Sequence, residues 1–336
     1  MPGTARSRRR NLALGLCMAS VLLVCAGLLA GSEGWSPAAL FGADANLIVG
    51  QIRAPRTLGA WLTGALLGLA GAVAQGLFRN PLADPYLLGS AAGASLGVVL
   101  VLAAGSLSGH AIGLATAEGL ARFGLVGAAF VGALAGVMLT LVLARGAQHT
   151  TRLLLSGIVV DVVMNAVSDL LTTAAPEALR GKQVFMLGTT SFLGWESVAI
   201  LAAGLALTLP VAWRLARTLD ALTLGEDTAR SLGLALPQWR RVLVLTMALA
   251  TGLAVSQAGL LAFVGLVSPH LVRRFAPAPH GFSLGASAAA GGVLLLAADV
   301  AARTVIAPQE LPVGVLTAVL GGSYLLWLLH RRSVAP

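Results

Sequence analysis

The sequence predicts an all-α polytopic membrane protein with ten transmembrane helices, one of them short, and both termini cytoplasmic. Three observations lead there: the apolar composition, the length of the apolar runs and the one-sided distribution of arginine. Of 336 residues, 57% are hydrophobic and only 10% charged, with a mean hydropathy of +0.88. That is more apolar surface than one water-soluble core encloses. In lipid, backbone polar groups must be satisfied within a helix or a closed barrel, and runs of about twenty residues, rather than alternating tens, exclude the barrel.

Nine such runs stand at about 12–31, 57–78, 86–107, 123–144, 153–175, 195–214, 242–264, 281–302 and 312–330. The first follows Arg6, Arg8, Arg9 and Arg10 and imitates a secretory signal, with Leu22-Leu23-Val24-Cys25 resembling a lipoprotein cleavage site. It is long enough to span, and Val24 is too large for the small residue that cleavage requires, so an uncleaved span is expected. Cys17 and Cys25, eight residues apart in this run, read as small packing residues rather than a disulfide or metal framework. The 41 glycines fall largely inside the runs, where small side chains let helix backbones approach.

Nine crossings would leave the two basic ends on opposite sides. The stretch 265–276, closed by Arg273, Arg274 and Pro277, supplies a tenth crossing as a short helix buried among the others. With the N-terminus inside, sixteen of the 22 basic residues are cytoplasmic and six are outside, namely Arg53, Arg56, Arg122, Arg180, Lys182 and Arg303. The net charge of +9 therefore marks topology, and no nucleic-acid partner is expected.

The most informative stretch runs from Gly64 to Gly89. Glycines at 64, 68 and 71 give one smooth helix face, and Gln75, Arg79, Asn80, Pro81, Asp84 and Pro85 then form a compact cytoplasmic turn. This wording resembles the permease family that imports iron chelates, haem and cobalamin. The resemblance continues through Arg53-Ala54-Pro55-Arg56, Leu154-Leu-Ser-Gly157, Leu222 to Gly233, Phe263 to Arg273 with its Pro269-His270 pair, Asp299 with Arg303, and Glu310-Leu-Pro312-Val-Gly314. Ala54, where leucine is usual, and Phe185-Met-Leu-Gly188, where tryptophan commonly precedes the glycine, depart from the pattern.

The resemblance implies that residues 1–336 form a single permease domain, paired with a second copy and served by two ATPase subunits and an extracytoplasmic binding protein, in the cell (inner) membrane. The sequence agrees on the energy source. A phosphate-cradling loop ends in Gly-Lys-Ser/Thr, and the only lysine, Lys182, is followed by Gln183, so ATP is expected to be used by a partner and no cofactor or metal to be bound here.

Residues 217–241 form the longest inward polar loop, with punctuation that suggests two short helices lying on the bundle. The resemblance implies that Leu222, Gly225, Glu226, Asp227, Ala229, Arg230, Leu232 and Gly233 couple it to the ATPase; a solvated connector is the plainer alternative. On the outer side Arg53, Arg56 and Arg303 are expected to be exposed and, by resemblance, to dock acidic residues of the binding protein. Arg303 could instead simply pair with Asp299 one turn away. Asp161, Asn165 and Asp169 recur every four residues, share a face of the fifth run and are candidates for lining the translocation path, with polar glue between helices as the alternative. His270 has no second ligand at useful spacing, so capping or packing is expected.

An ion-coupled carrier would use intramembrane aspartates but leaves the 219–233 loop without a purpose, and a membrane-embedded enzyme needs a catalytic constellation that the sequence does not offer. An importer permease is the expected function. The cargo is expected to be an iron complex, siderophore or haem, as the commonest implied by the resemblance, with cobalamin as the alternative.

Overall fold

The computed structural model of the protein describes residues 2–31, 34–37, 41–42, 44–107, 120–146, 150–231 and 233–333. The chain begins with α1 (Pro2–Leu29), followed by a minimal antiparallel hairpin of β1 (Ala30–Gly31) and β2 (Gly34–Trp35) that sets Ala30 opposite Trp35. A π-helical segment (Asn46–Arg53) runs directly into α2 (Ala54–Phe78). There follow α3 (Ser90–Leu107), α4 (Leu120–Leu143), α5 (Thr150–Ala174), α6 (Pro176–Leu187) and α7 (Trp195–Arg214). The remainder comprises α8 (Ala216–Thr223), α9 (Glu226–Ser231), α10 (Leu236–Ala258), α11 (Val264–Phe275), α12 (His280–Thr304) and α13 (Val313–Ser333).

Among the described residues, seven helices are long and apolar enough to cross a membrane: α1, the joined segment 46–78, α4, α5, α7, α10 and α12. α3 and α13 are apolar but shorter. The short element expected at 265–276 is α11, whose 12 residues rise roughly 18 Å, less than the hydrocarbon thickness of about 30 Å. Its backbone is covered because it packs against α2 and α12. Two run boundaries shift. The run 86–107 becomes helical only at Ser90, after the turn, and the run 242–264 breaks at Gly259, where φ is +72° and only glycine is at ease.

α2 is the buried axis of the bundle, whereas α1 lies on its outside. The smooth face read from the sequence is the reason. A Cβ at Gly64 would stand 2.2 Å from the Gly291 carbonyl oxygen, and one at Gly71 would stand 1.7 Å from that of Gly265, so α2 meets α12 and α11 backbone to backbone. A second seam joins α3 to α4, where Gly93 faces Gly132 and Gly97 faces the carbonyl of Ala128.

Candidate functional site

At the end of the bundle expected to face inward, the turn after α2 closes with Arg79 in the left-handed region (φ 50°), while the Asn80 N–H donates to the Gln75 carbonyl at 3.2 Å. Asn80 Oδ1 accepts the Leu82 N–H at 2.9 Å, and Asp84 Oδ1 accepts that of Tyr86 at 2.9 Å, two side-chain turns that hold residues 79–86 without regular structure. Pro81 is exposed on this turn. The Gln75 side chain is buried and bridges to α11: its Nε2 donates to the Leu266 carbonyl at 3.0 Å and its Oε1 accepts from Arg273.

α8 and α9 lie against this turn. Leu222 and Ala229, two of the residues that the resemblance implies for coupling, are both fully buried and anchor the two helices to the bundle. Glu226 is the polar anchor. Its carboxylate pairs with Arg240 of α10, with Arg230 at 3.6 Å and with Arg79 at 3.9 Å, and accepts the Thr150 hydroxyl at 3.4 Å. Burial pushes this carboxyl up, but hydrogen bonding to Arg240 and the charges of Arg240, Arg79 and Arg230 outweigh it and leave the group below its usual 4.5. Asp220 of α8 ties the segment to α12, accepting the His280 backbone N–H at 3.0 Å and meeting its ring Nδ1 at 2.7 Å. Leu224, 66% exposed, faces outward, as do Asp227 and Arg230. Leu224 was missed in the sequence, although it falls off the Leu219, Leu222 stripe that would mark it as outward. Gly225 (φ +108°) and Gly233 (φ +79°) make the breaks on either side of α9. Leu232 lies outside the described residues.

At the opposite end, expected to face outward, the structure corrects the expectation that Arg53, Arg56 and Arg303 are exposed. Their exposures are 9%, 9% and 1%, and each guanidinium is already engaged. Arg56 Nε donates to Asp299 Oδ1 at 3.1 Å and Nη1 meets the Glu310 carboxylate at 2.9 Å. Arg303 pairs with the other oxygen of Asp299, the i,i+4 alternative noted from the sequence, and Thr190 Oγ1 donates to Asp299 at 2.5 Å. Two guanidiniums and two carboxylates thus form one balanced network. Glu310, in the loop after α12, is pushed up by burial but drawn down further by Arg56, and sits below its usual range.

Arg53 and Arg303 also close α1. The last four carbonyls of a helix have no partner within it. Arg53 Nη1 donates to those of Leu28 and Leu29 at 3.1 and 3.2 Å, and Arg303 Nη1 to those of Gly27 and Ala30, both at 3.1 Å. Positive charge at the negative end of the helix dipole adds to the effect.

Between the two ends, Asn165 Nδ2 donates to Asp161 Oδ2 at 3.2 Å on the open side of α5, among the exposed Ile158, Val162 and Leu170. Asp169 is held apart from them by an ion pair with Lys182 of α6. Pro269 is buried within α11, and His270 stands edge-on to Tyr324 with ring centroids 5.8 Å apart. Gly314, after Pro312, lies against the Leu187 carbonyl, 2.2 Å from where a Cβ would be, fastening α13 to the end of α6.

The chain is thus a bundle of apolar helices that carries a platform of two short helices, α8 and α9, at one end. The model of the FecCD transport family matches residues 17–331, and the chain belongs to that family. It is 37% identical over 338 residues to the vitamin B12 import system permease protein BtuC of Salmonella paratyphi A and, equally, of Salmonella typhi, covering 98% of either chain. Its fold matches a metal-chelate type ABC transporter solved in an inward-facing conformation, with a TM-score of 0.82 and 24% identity over 96% of this chain and 99% of that one. It is a multi-pass inner-membrane permease and non-catalytic; ATP is hydrolysed by a separate chain.

Proposed function

We propose that this permease admits cobalamin to the cytoplasm. The observation that carries the reading is the 37% identity to vitamin B12 permeases over essentially the full length of both chains. It favours cobalamin over the iron complex expected from the commonest family cargo. In this reading both termini are cytoplasmic, two copies enclose the path, and the open side of α5 with Asp161 and Asn165 faces that path, where partly buried polar groups in a membrane are most economically placed. The α8–α9 platform of residues 217–241 seats on the ATPase through Leu224, Asp227 and Arg230. A binding protein docks at the outer end, where Arg53 and Arg56 lie at the rim and Arg303 serves from beneath by holding Asp299.

The test is uptake of radiolabelled cyanocobalamin, and separately of a ferric siderophore, by cells lacking their own permeases and supplied with this chain, its ATPase and its binding protein. Cobalamin uptake that depends on this chain supports the reading; siderophore uptake without cobalamin uptake overturns it.

A further inference from the structure

The outside of the bundle carries a feature that transport does not account for. Arg6, Arg9, Arg10, Ala13, Leu16, Cys17 and Ser20 recur at spacings of three and four, so they share one face of α1. Arg6, Arg9 and Arg10 line a cavity of about 610 Å³ whose other walls include Ala13 and Phe282. Ala13 and Phe282 also line a second cavity, of about 740 Å³, that continues along α1 between α7 and α12. This second space is a groove with a floor of small residues, Cys17, Ser20 and Gly285 among them, and aromatic walls from Trp61 and Trp213. The Trp61 indole N–H donates to Ser20 Oγ at 3.0 Å, which fixes the closed end.

The dimensions fit one leaflet. Arg10 to Ser20 is ten residues, roughly 15 Å at the helical rise, or half of about 30 Å of hydrocarbon. The charge fits as well: three guanidiniums crowd the mouth, and Arg9 Nε is buried there with no hydrogen-bond partner among the described residues. Asp220, the one carboxylate of α8, is held by His280. We propose that this joined space is a binding site for a single anionic phospholipid, its phosphate among Arg6, Arg9 and Arg10 and an acyl chain in the groove between α1, α7 and α12. An anionic cytoplasmic leaflet attracts basic residues by about 1 kcal/mol each, and the groove converts that general attraction into a seat.

The substitutions separate seat from general charge. Arg8 is exposed and lines neither cavity, so Arg8→Gln removes the same charge from outside the site. Gly285 has no atom within 4 Å of where a Cβ would stand, so Gly285→Leu fills the groove without displacing a neighbour. The purified protein is equilibrated with mixed phosphatidylglycerol and phosphatidylcholine, and lipid retained per chain is read by native mass spectrometry. The wild type is expected to keep one phosphatidylglycerol. Arg9→Gln should weaken its retention about five-fold, as the loss of one such charge implies, Gly285→Leu should weaken it with unchanged thermal unfolding, and Arg8→Gln should leave it as in the wild type. Equal retention of the two lipids, equal effects of Arg8→Gln and Arg9→Gln, or undiminished retention in Gly285→Leu would each overturn the proposal.

Discussion

Replacing Asp299 by asparagine isolates the outer network, because the new side chain keeps shape and loses only the charge. Asp299 is fully buried and receives a hydrogen bond from each of two guanidiniums and one hydroxyl. Each charge-assisted bond contributes about 1.5–3 kcal/mol, and removing one partner of a buried pair costs about 3–5 kcal/mol. Asparagine can still accept through its one carbonyl oxygen, but its amide N–H group then faces a guanidinium donor, and Arg56 and Arg303 are left sharing Glu310. A loss of about 3 kcal/mol follows for Asp299→Asn, toward the upper end of that range for Asp299→Ala. The assay is denaturant unfolding of the purified protein in detergent, followed by tryptophan fluorescence. The double substitution Asp299→Leu with Arg303→Met should recover much of the loss, because removing both members of the pair removes the uncompensated charge. An Asp299→Asn protein within about 0.5 kcal/mol of the wild type would refute the view that these charges depend on one another.

Four further outcomes follow from the structure. Since the Glu226 carboxyl is held below 4.5 in the folded chain, its attachment of α9 is fully present above that value and is lost as pH falls through the lowered folded value; hydrogen exchange at residues 226–231 should quicken at acid pH, and Glu226→Gln should abolish the pH dependence. Gly71→Ala drives a methyl group into the Gly265 carbonyl and should cost about 3 kcal/mol or more in the same unfolding assay, while Gly285→Ala should be neutral. Arg53→Met removes the side-chain donor to the Leu28 and Leu29 carbonyls, of which Leu29 keeps the Ser36 N–H, and should accelerate hydrogen exchange over the last turn of α1 while α2 stays protected. Leu224→Asp should lower transport and ATPase stimulation with normal membrane insertion, since this leucine faces outward and supports no core contact; undiminished transport would remove the α8–α9 platform from the coupling role.

The legible parts of the fold were those encoded locally. The glycine face of α2, the turn at Arg79 to Asp84 and the two short helices after Arg214 each follow from residues within a few positions of one another. The pairing of Arg303 with Asp299 one turn away was legible, but the other contacts of these arginines were not, because their partners are remote: Arg56 meets Asp299 across 243 positions, and Arg303 meets the Gly27 carbonyl across 276. Arginine counted only as a topology signal looks exposed, and nothing in the neighbourhood of Arg53 or Arg56 says otherwise. α6 escaped for a different reason. Glu177, Arg180 and Lys182 lower its apolar content below that of a span, although Lys182 is buried against Asp169.

Two helices, α2 and α12, carry both ends of the molecule, and the candidate coupling residues are bonded to both. The α8–α9 platform is bonded to α2 through Glu226 and Arg79, to α10 through Glu226 and Arg240, and to α12 through Asp220 and His280. α2 and α12 are locked along their length by backbone contact at Gly64, Gly68 and Gly291, and they meet again at the outer end through Arg56 and Asp299. Helices in backbone contact cannot slide without collision, so α2 and α12 are held as one body, to which the platform is bonded. α3 and α4 share their own glycine seam, and α5 packs on both while keeping an open side. The two seams are joined through α10, which packs on α2 as well as on α4, and the polar pair Asp161 and Asn165 lies on the open side of α5, at the periphery of this arrangement.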